Sequence, residues 1–248
     1  MIARAAPRVE LIAEVASNHG GDLQLAKAFI WRCAEAGADW VKFQTTRVQH
    51  LRLDDPQYAW FQRAELSEDA HVALKDECAH AGVKFLTTVY HPAEMPFLAS
   101  LGLEAIKIGS GEARELALAR AVTGFPRVIV SLGVAPTGAL TPFRHVRQAV
   151  FLRCVSRYPT PPLAALGAMR PYLNNSTPEV GWSDHCVGIE VACAAICAGA
   201  TLIEKHVQFP DQARPPQPYE ATMDDLKRLR QFADEDPASQ YTGRWQHG

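Results

Sequence analysis

Residues 181–206 read "GWSDHCVGIEVACAAICAGATLIEKH". Two short apolar runs each finish on a histidine, His185 and His206, and the pattern between them is helical and almost free of charge. A strand, a crossover helix closed by Gly199 and a second strand make a βαβ unit, whose two strands must run parallel. Parallel strands are buried on both faces and read as nearly all apolar, so polar residues at the same end of both strands need a reason.

Working outward, the same alternation fills the chain. "VELIAEVA", "WVKFQT", "KFLTTVY", "AIKIGS", "RVIVSL", "FLRCVS", "EVGWSD" and "TLIEKHV" are strand candidates. Segments such as "LQLAKAFIWRCAEAGA" and "SEDAHVALKDECAHAGV" lie between them, with apolar residues every third or fourth position and a closing Gly. Eight βα units in 248 residues fit a closed (β/α)8 barrel of roughly 250 residues. An open doubly wound sheet more often stops at about five or six strands. The sequence therefore predicts an α/β protein, a single TIM barrel over residues 1–248, with eight βα units at about 9–233 and a polar tail over 234–248. Two connections are long: 47–66 after the second strand, and 208–220 after the eighth, which carries Pro210, Pro215, Pro216 and Pro218. Both follow strands, so both overhang the C-terminal mouth where barrel enzymes keep their sites, and both are candidate lids.

Composition narrows the partners. Hydrophobic residues at 48%, charged residues at 21% and a net charge of -2 describe a globular chain without a basic footprint for nucleic acid. The longest weakly charged run, 187–203, contains Glu190 and breaks at Gly199, so it reads as helix plus strand and no membrane partner is expected. The six cysteines form no CxxC pair, and "MIARAAPRVE" has no apolar leader core. Both features predict a cytoplasmic protein with reduced, buried thiols.

Nearly every strand carries polar residues in or beyond its C-terminal end: Glu14; Lys42 and Gln44; Thr87 and Thr88; Lys107, Ser110 and Glu112; Ser131; Arg153, Ser156 and Tyr158; Ser183, Asp184 and His185; Glu204, Lys205 and His206. Singly, each has an ordinary reading: a lysine snorkels, a hydroxyl bonds to backbone, a histidine is satisfied at the rim. Together on one rim they cost too much stability to be idle. The last two strands are neighbours in a barrel, so His185 and His206 can converge, with Asp184 and Glu204 as further ligands or orienters. Two imidazoles suit Mn, Fe, Co or Zn better than Mg. Lys42 and Lys107, with the hydroxyls of Thr88, Ser110, Ser131, Ser156 and Ser183, make a receptor for phosphate and carboxylate. Adding Glu14 and Glu112 points to lyase or condensation chemistry on a phosphorylated acid.

At these residues the sequence resembles the N-acetylneuraminate (sialic acid) synthase family, which includes the legionaminate and pseudaminate synthases. "IAEVASNHGGDLQLAKAFIWRCAEAGADWVKFQT" is similar to the family's opening, "KIGSGE" to its fourth-strand motif, "CVSRYPTP" to its sixth, and "GWSDHCVGIEVACAAICAGATLIEKHV" to its last two strands, collinear from about Leu11 to Val207. The resemblance implies a metal-dependent transferase that joins phosphoenolpyruvate to an aldose such as N-acetylmannosamine and releases phosphate. It implies His185 and His206 as ligands of a divalent ion, Mn²⁺ first and Mg²⁺, Co²⁺ or Zn²⁺ after it. Lys42, Thr88, Lys107, Ser110, Ser131, Ser156 and Ser183 would hold phosphoenolpyruvate. Glu14 and Glu112 would serve proton transfer beside the histidines, and Glu14, Gln44, Tyr158 and Asp184 would face the acceptor.

Departures from the pattern fall on the acceptor side. The family normally continues into an antifreeze-like domain that, in a swapped dimer, sets an arginine over the partner's sugar; this sequence ends at Gly248 without one. The implied acceptor site is then completed by the two long loops, by a homodimer partner or by a separate lid-providing chain. The family's "RPGPD" becomes "RPPQP" over Arg214–Pro218, losing a sugar-gripping aspartate for which Glu220 is a candidate stand-in. "STGM" becomes "SLGV" over Ser131–Val134, and Ser156 replaces an asparagine. The expected acceptor is accordingly not standard N-acetylmannosamine. The alternatives are a Schiff-base aldolase, since Lys42, Lys107 and Lys205 all lie on strands, and a non-catalytic barrel that binds a sugar acid or serves as a partner subunit.

Overall fold

The computed structural model describes residues 8–133, 141–173 and 181–235, without the side chains of residues 170–173. Val134 and the tail from 236 onward lie outside the described residues. Eight strands follow in order: β1 (Glu10–Ala16), β2 (Trp40–Thr45), β3 (Lys84–Val89), β4 (Ile106–Ile108), β5 (Val128–Ser131), β6 (Ala149–Arg153), β7 (Gly181–Asp184) and β8 (Leu202–His206). Each pairs parallel with the next, and β8 pairs with β1, with Glu14 in register with His206, so the sheet closes into a barrel. The helices are α1 (Leu23–Glu35), α2 (Tyr58–Ala64), α3 (Glu68–His80), α4 (Met95–Ser100), α5 (Leu116–Ala121), α6 (Pro162–Leu173), α7 (Glu190–Cys197) and α8 (Met223–Asp234). This is the (β/α)8 architecture the sequence pattern predicts.

The helix starts are written locally. Asp22 accepts from the Gln24 and Leu25 amides at the head of α1, Ser67 from Ala70 at α3, and Thr222 and Asp225 form a reciprocal capping box at α8. Each such cap is worth about 1 kcal/mol. The long connection after β2 is not irregular: it holds a 3-10 turn, Val48–His50, and then α2. Between β5 and β6 the described residues carry a 3-10 turn, Pro142–His145, where the other units have a helix.

Alternation along the strands divides the core in two. Leu11, Ala13, Val41, Phe43, Phe85, Val128, Val130, Phe151, Trp182 and Ile203 point outward and pack with the helices. Ile12, Trp40, Leu86, Ala105, Ile129, Leu152 and Leu202 point inward and plug the barrel. The residue two positions further along each strand returns to the lumen one layer higher. Among the described residues, no helix is long and apolar enough to cross a membrane.

Candidate active site

Counting two residues up from the apolar plug gives Glu14, Lys42, Thr88, Lys107, Ser131, Cys154 and Glu204, with Ser183 two residues beyond Gly181. This layer is polar and buried, and its members bond to one another. Lys42 Nζ lies 2.7 Å from Glu14 Oε2 and 3.4 Å from Glu204 Oε1, and donates to Thr88 Oγ1 at 2.9 Å. Lys107 Nζ donates to Ser131 Oγ at 2.7 Å and to the Ile108 carbonyl at 2.8 Å, and stands 3.9 Å from Glu204 Oε2. Ser183 Oγ donates to Glu204 Oε1 at 3.1 Å. Glu204 thus sits at the hub, between two ammonium groups and beneath the imidazoles.

The electrostatics follow from burial in this small space. Burial pushes the Glu14 carboxyl up to about 7 against the opposing pull of Lys42. For Glu204 burial also opposes ionisation, but Lys107, Lys42 and His185, with the Ser183 hydroxyl, hold it below the usual carboxylate range. Burial would discharge Lys42, yet Glu14 and Glu204 keep it charged and raise it. Lys107 is lowered, because burial there outweighs the attraction of Glu204. Because Glu14 is raised to about 7, it can take up a proton near neutral pH, and then two ammonium groups face one ionised carboxylate. In that state the lumen is short of negative charge, which is the condition for binding an anion.

One layer higher, His185 and His206 have ring centroids 5.6 Å apart. The His185 Nδ1–H donates to the Val155 carbonyl at 2.8 Å, so its Nε2 carries the free lone pair. His206 Nδ1 is buried without a hydrogen-bond partner. Burial lowers both imidazoles, His206 far below the usual value with nearby cations adding to the effect, so both are neutral. Two neutral imidazoles, one oriented by a backbone carbonyl and one with an orphaned nitrogen, fit a divalent ion. Among the described residues no cluster of three or more His, Cys, Asp or Glu side chains could hold a metal, so substrate or water would supply its other ligands. Tyr158 packs tilted against His185, ring centroids 4.1 Å apart, and meets Tyr219 and His206 edge-on. Ser110 and Ser156 hydrogen-bond to each other at 2.7 Å. Gly133 has no Cβ because one would lie 2.7 Å from Cys154 Sγ and 3.2 Å from the Ser156 amide.

The structure draws Glu14, Lys42, Thr88, Lys107, Ser131, Ser183, His185, His206 and Tyr158 into one connected site. Gln44 lies in register with Thr88, half-buried above Lys42. Glu112 lies at the edge of this site, close enough for Lys107 to act on its carboxyl, in the wall of a cavity of about 320 Å³ at the ends of β2, β3 and β4 with His50, Phe61, Tyr90 and His91. Burial raises its carboxyl.

Four residues expected at the mouth face the other way. Asp184 follows inward-facing Ser183, so it points to the helices; there it pairs with Lys205 at 2.8 Å and accepts from the Cys186 amide, fully buried. It offers nothing to an acceptor. Lys205 is sequestered by the same pair, Thr87 bonds to Thr45, and Arg153 shares the outward side with Phe151 and Trp182. Glu220 is also committed: its carboxylate accepts from Asn18 (3.0 Å), Arg214 (2.9 Å), Gln217 (2.9 Å) and Gln212 (3.2 Å), so it does not stand in for the family's aspartate. Glu204, which the sequence offers as a further ligand or orienter beside the histidines, lies instead one layer below them between the two lysines, and Cys154, Tyr90 and Tyr219 join the site or its rim as residues the sequence reading does not single out. Cys154 and Tyr90 carry a usable signal, since each lies two residues from a lumen residue, Ser156 and Thr88.

Comparison with known proteins gives one consistent result. The model described as "NeuB family" matches residues 29–235. N,N'-diacetyllegionaminic acid synthase of Legionella pneumophila is 32% identical over 89% of this chain and 70% of its own length. The protein of that name from Campylobacter jejuni is 33% identical over 79% and 66%. The chain thus spans about two thirds of the length of these relatives. The crystal structure of N-acetylneuraminic acid synthetase from Leptospira borgpetersenii superposes with a TM-score of 0.85 at 27% identity, covering 97% of this chain and 88% of that one.

Proposed function

The chain belongs to the NeuB family, and from that premise we propose that it condenses phosphoenolpyruvate with an aldose or other aldehyde, releasing phosphate and giving a 2-keto-3-deoxy sugar acid. The observation that carries the reading is the pair Lys42 and Lys107, buried in the lumen directly below two neutral imidazoles. Two ammonium groups with too little counter-charge suit a carboxylate and a phosphate held side by side. The hydroxyls of Thr88, Ser131 and Ser183 are within reach of the same anion, and those of Ser110 and Ser156 extend the receptor toward the mouth.

In the reaction, C3 of the enol forms a bond to the aldehyde carbon, and the aldehyde oxygen takes up a proton. Water adds at the electron-poor C2 and loses a proton; the bond from C2 to the phosphate oxygen then breaks as the remaining C2 hydroxyl becomes the ketone, its proton leaving with the phosphate. Lys42 and Lys107 hold the donor and keep their positive charge beside the departing phosphate. Glu14, whose Oε1 has no partner, is placed to give a proton to the new alkoxide or take one from water, with Glu112 as the second proton-handling carboxyl. A divalent ion at His185 and His206, Mn²⁺ foremost, would supply Lewis acidity at the acceptor carbonyl. Tyr158 and Gln44 would line the acceptor.

The acceptor is proposed to differ from N-acetylmannosamine, because the family's aspartate is Pro218 here and Glu220 is engaged elsewhere. A homodimer or lid-providing chain is part of the proposal, and would show as an acceptor KM that falls as protein concentration rises. The test is phosphate release from phosphoenolpyruvate by chelator-stripped protein, with and without Mn²⁺, over a panel of aldoses that includes N-acetylmannosamine. Release that needs both metal and particular acceptors supports the reading; silence across the panel with metal bound refutes it.

A further inference from the structure

The connection from β8 to α8 does more than close the fold. Its last residues, Tyr219 and Glu220, face different surroundings. The Tyr219 ring meets His206 at 5.2 Å and 85°, and meets Tyr158 at 5.2 Å and 70°. Tyr158 in turn lies 4.1 Å from His185 and is about half exposed. The two phenol rings therefore form one wall beside the imidazole pair. The Glu220 carboxylate is turned inward, where both oxygens are saturated by Asn18, Gln212, Arg214 and the Gln217 amide.

We infer that Tyr219 is an acceptor-contacting residue of this site, and that Glu220 is the positioning residue that holds its ring beside His206 and Tyr158. The inference rests on the proposed condensation. An acceptor whose carbonyl lies at the imidazoles must pass this wall, and aromatic faces with a hydroxyl at the rim suit a sugar, which presents C–H faces and hydroxyl edges. The wall is fixed before any ligand arrives. Asn18 also donates to the Val207 carbonyl, the Ala213 amide donates to Asn18, and Arg214 Nε donates to Asn18 Oδ1 at 2.6 Å, so the loop is bolted to the end of β1. Gly20 takes φ +55° there and has no Cβ, because one would collide with Ala213. Pro215, Pro216 and Pro218 stiffen the segment further. Ordering the ring during folding removes that entropy cost from acceptor binding.

The experiment uses the full chain with phosphoenolpyruvate, Mn²⁺ and the panel aldose that the wild type turns over fastest. Tyr219→Ala is expected to raise the acceptor KM about tenfold, and Tyr219→Phe about threefold or less, because the ring supplies most of the contact. KM for phosphoenolpyruvate should stay within about twofold. Binding of Mn²⁺ to protein without substrate, read from the electron paramagnetic resonance of the free ion, should also be unchanged. Glu220→Gln removes the charge paired with Arg214, and should raise the acceptor KM in the wild-type Tyr219 background but not in Tyr219→Ala. An acceptor KM unmoved by Tyr219→Ala, or a loss of Mn²⁺ affinity in step with the rise, overturns the inference while the condensation stands. No turnover by the wild type with any aldose defeats both.

Discussion

Replacing Lys42 by Met tests the polar layer most directly. The substitution keeps the length of the side chain and removes the ammonium group that lies 2.7 Å from Glu14, 3.4 Å from Glu204 and 2.9 Å from Thr88. It leaves two carboxyls in a space closed to water, and breaking a buried pair in this way costs about 3–5 kcal/mol. The cost depends on pH. Glu14 is already raised to about 7, so the fold prefers it protonated, and its contribution to stability is present at low pH and lost as pH rises toward that value. Lys42 itself is raised above the ordinary lysine value, so it stays charged throughout and cancels part of the loss in the wild type. Without it, Glu14 is pushed higher still and the loss grows. Urea denaturation followed by circular dichroism should therefore show Lys42→Met destabilised by about 3 kcal/mol or more at pH 8, a fall in Tm of about 6–12 °C, and by clearly less at pH 5.5. Lys42→Met with Glu14→Gln should recover part of the stability at pH 8, and neither variant should release phosphate from phosphoenolpyruvate. A Lys42→Met protein equally destabilised at both pH values, or more stable than wild type, would refute the reasoning.

Gly181→Ala should cost about 3 kcal/mol, because a Cβ there strikes the Leu202 carbonyl and the Leu152 side chain and lies 2.9 Å from Leu202 Cβ on the next strand; an unchanged urea midpoint would show that β7 is looser than described. Asp184→Asn should lower stability by about 3–5 kcal/mol through the buried partner Lys205, with the acceptor KM unmoved, and a shifted KM at full stability would return Asp184 to the mouth. Borohydride with pyruvate should trap no adduct, since Lys42 is held charged by its carboxylates and Lys205 is sealed against Asp184; a mass gain on Lys107, the lysine that burial lowers, would revive the Schiff-base aldolase. His185→Ala should abolish Mn²⁺ binding measured by equilibrium dialysis while the barrel remains folded, and undiminished binding would place the ion elsewhere.

Much of this was legible in the residues. Eight apolar runs alternating with helical patterns dictate a parallel closed sheet, because strands linked by crossover helices have nowhere else to bury both faces. The imidazoles were legible for the same reason: His185 and His206 end neighbouring strands and share a rim. Strand parity was also present in the sequence, and it decides between residues that look alike. Ser183 and Asp184 are consecutive, so they face opposite sides; the first joins Glu204, and the second leaves the lumen for Lys205. Reading the strand ends as a rim without counting in twos admits Asp184 beside Glu204 and leaves out Cys154 and Tyr90.

Other features belong to the tertiary structure alone. The sequence cannot tell that Glu220 spends its carboxylate on Asn18, 202 positions away, or that Tyr219 consequently turns its ring to His206. Nor does it fix that Glu14 is raised to about 7 while Glu204 is held below the usual carboxylate range, since both are inward carboxyls on adjacent strands, and the difference is that Lys107, Lys42, His185 and the Ser183 hydroxyl all act on Glu204. Periodicity is a local property of the chain and so survives in the sequence. Hydrogen-bond partners and charge states depend on which groups closure of the barrel brings within a few ångströms, and only the folded molecule decides that.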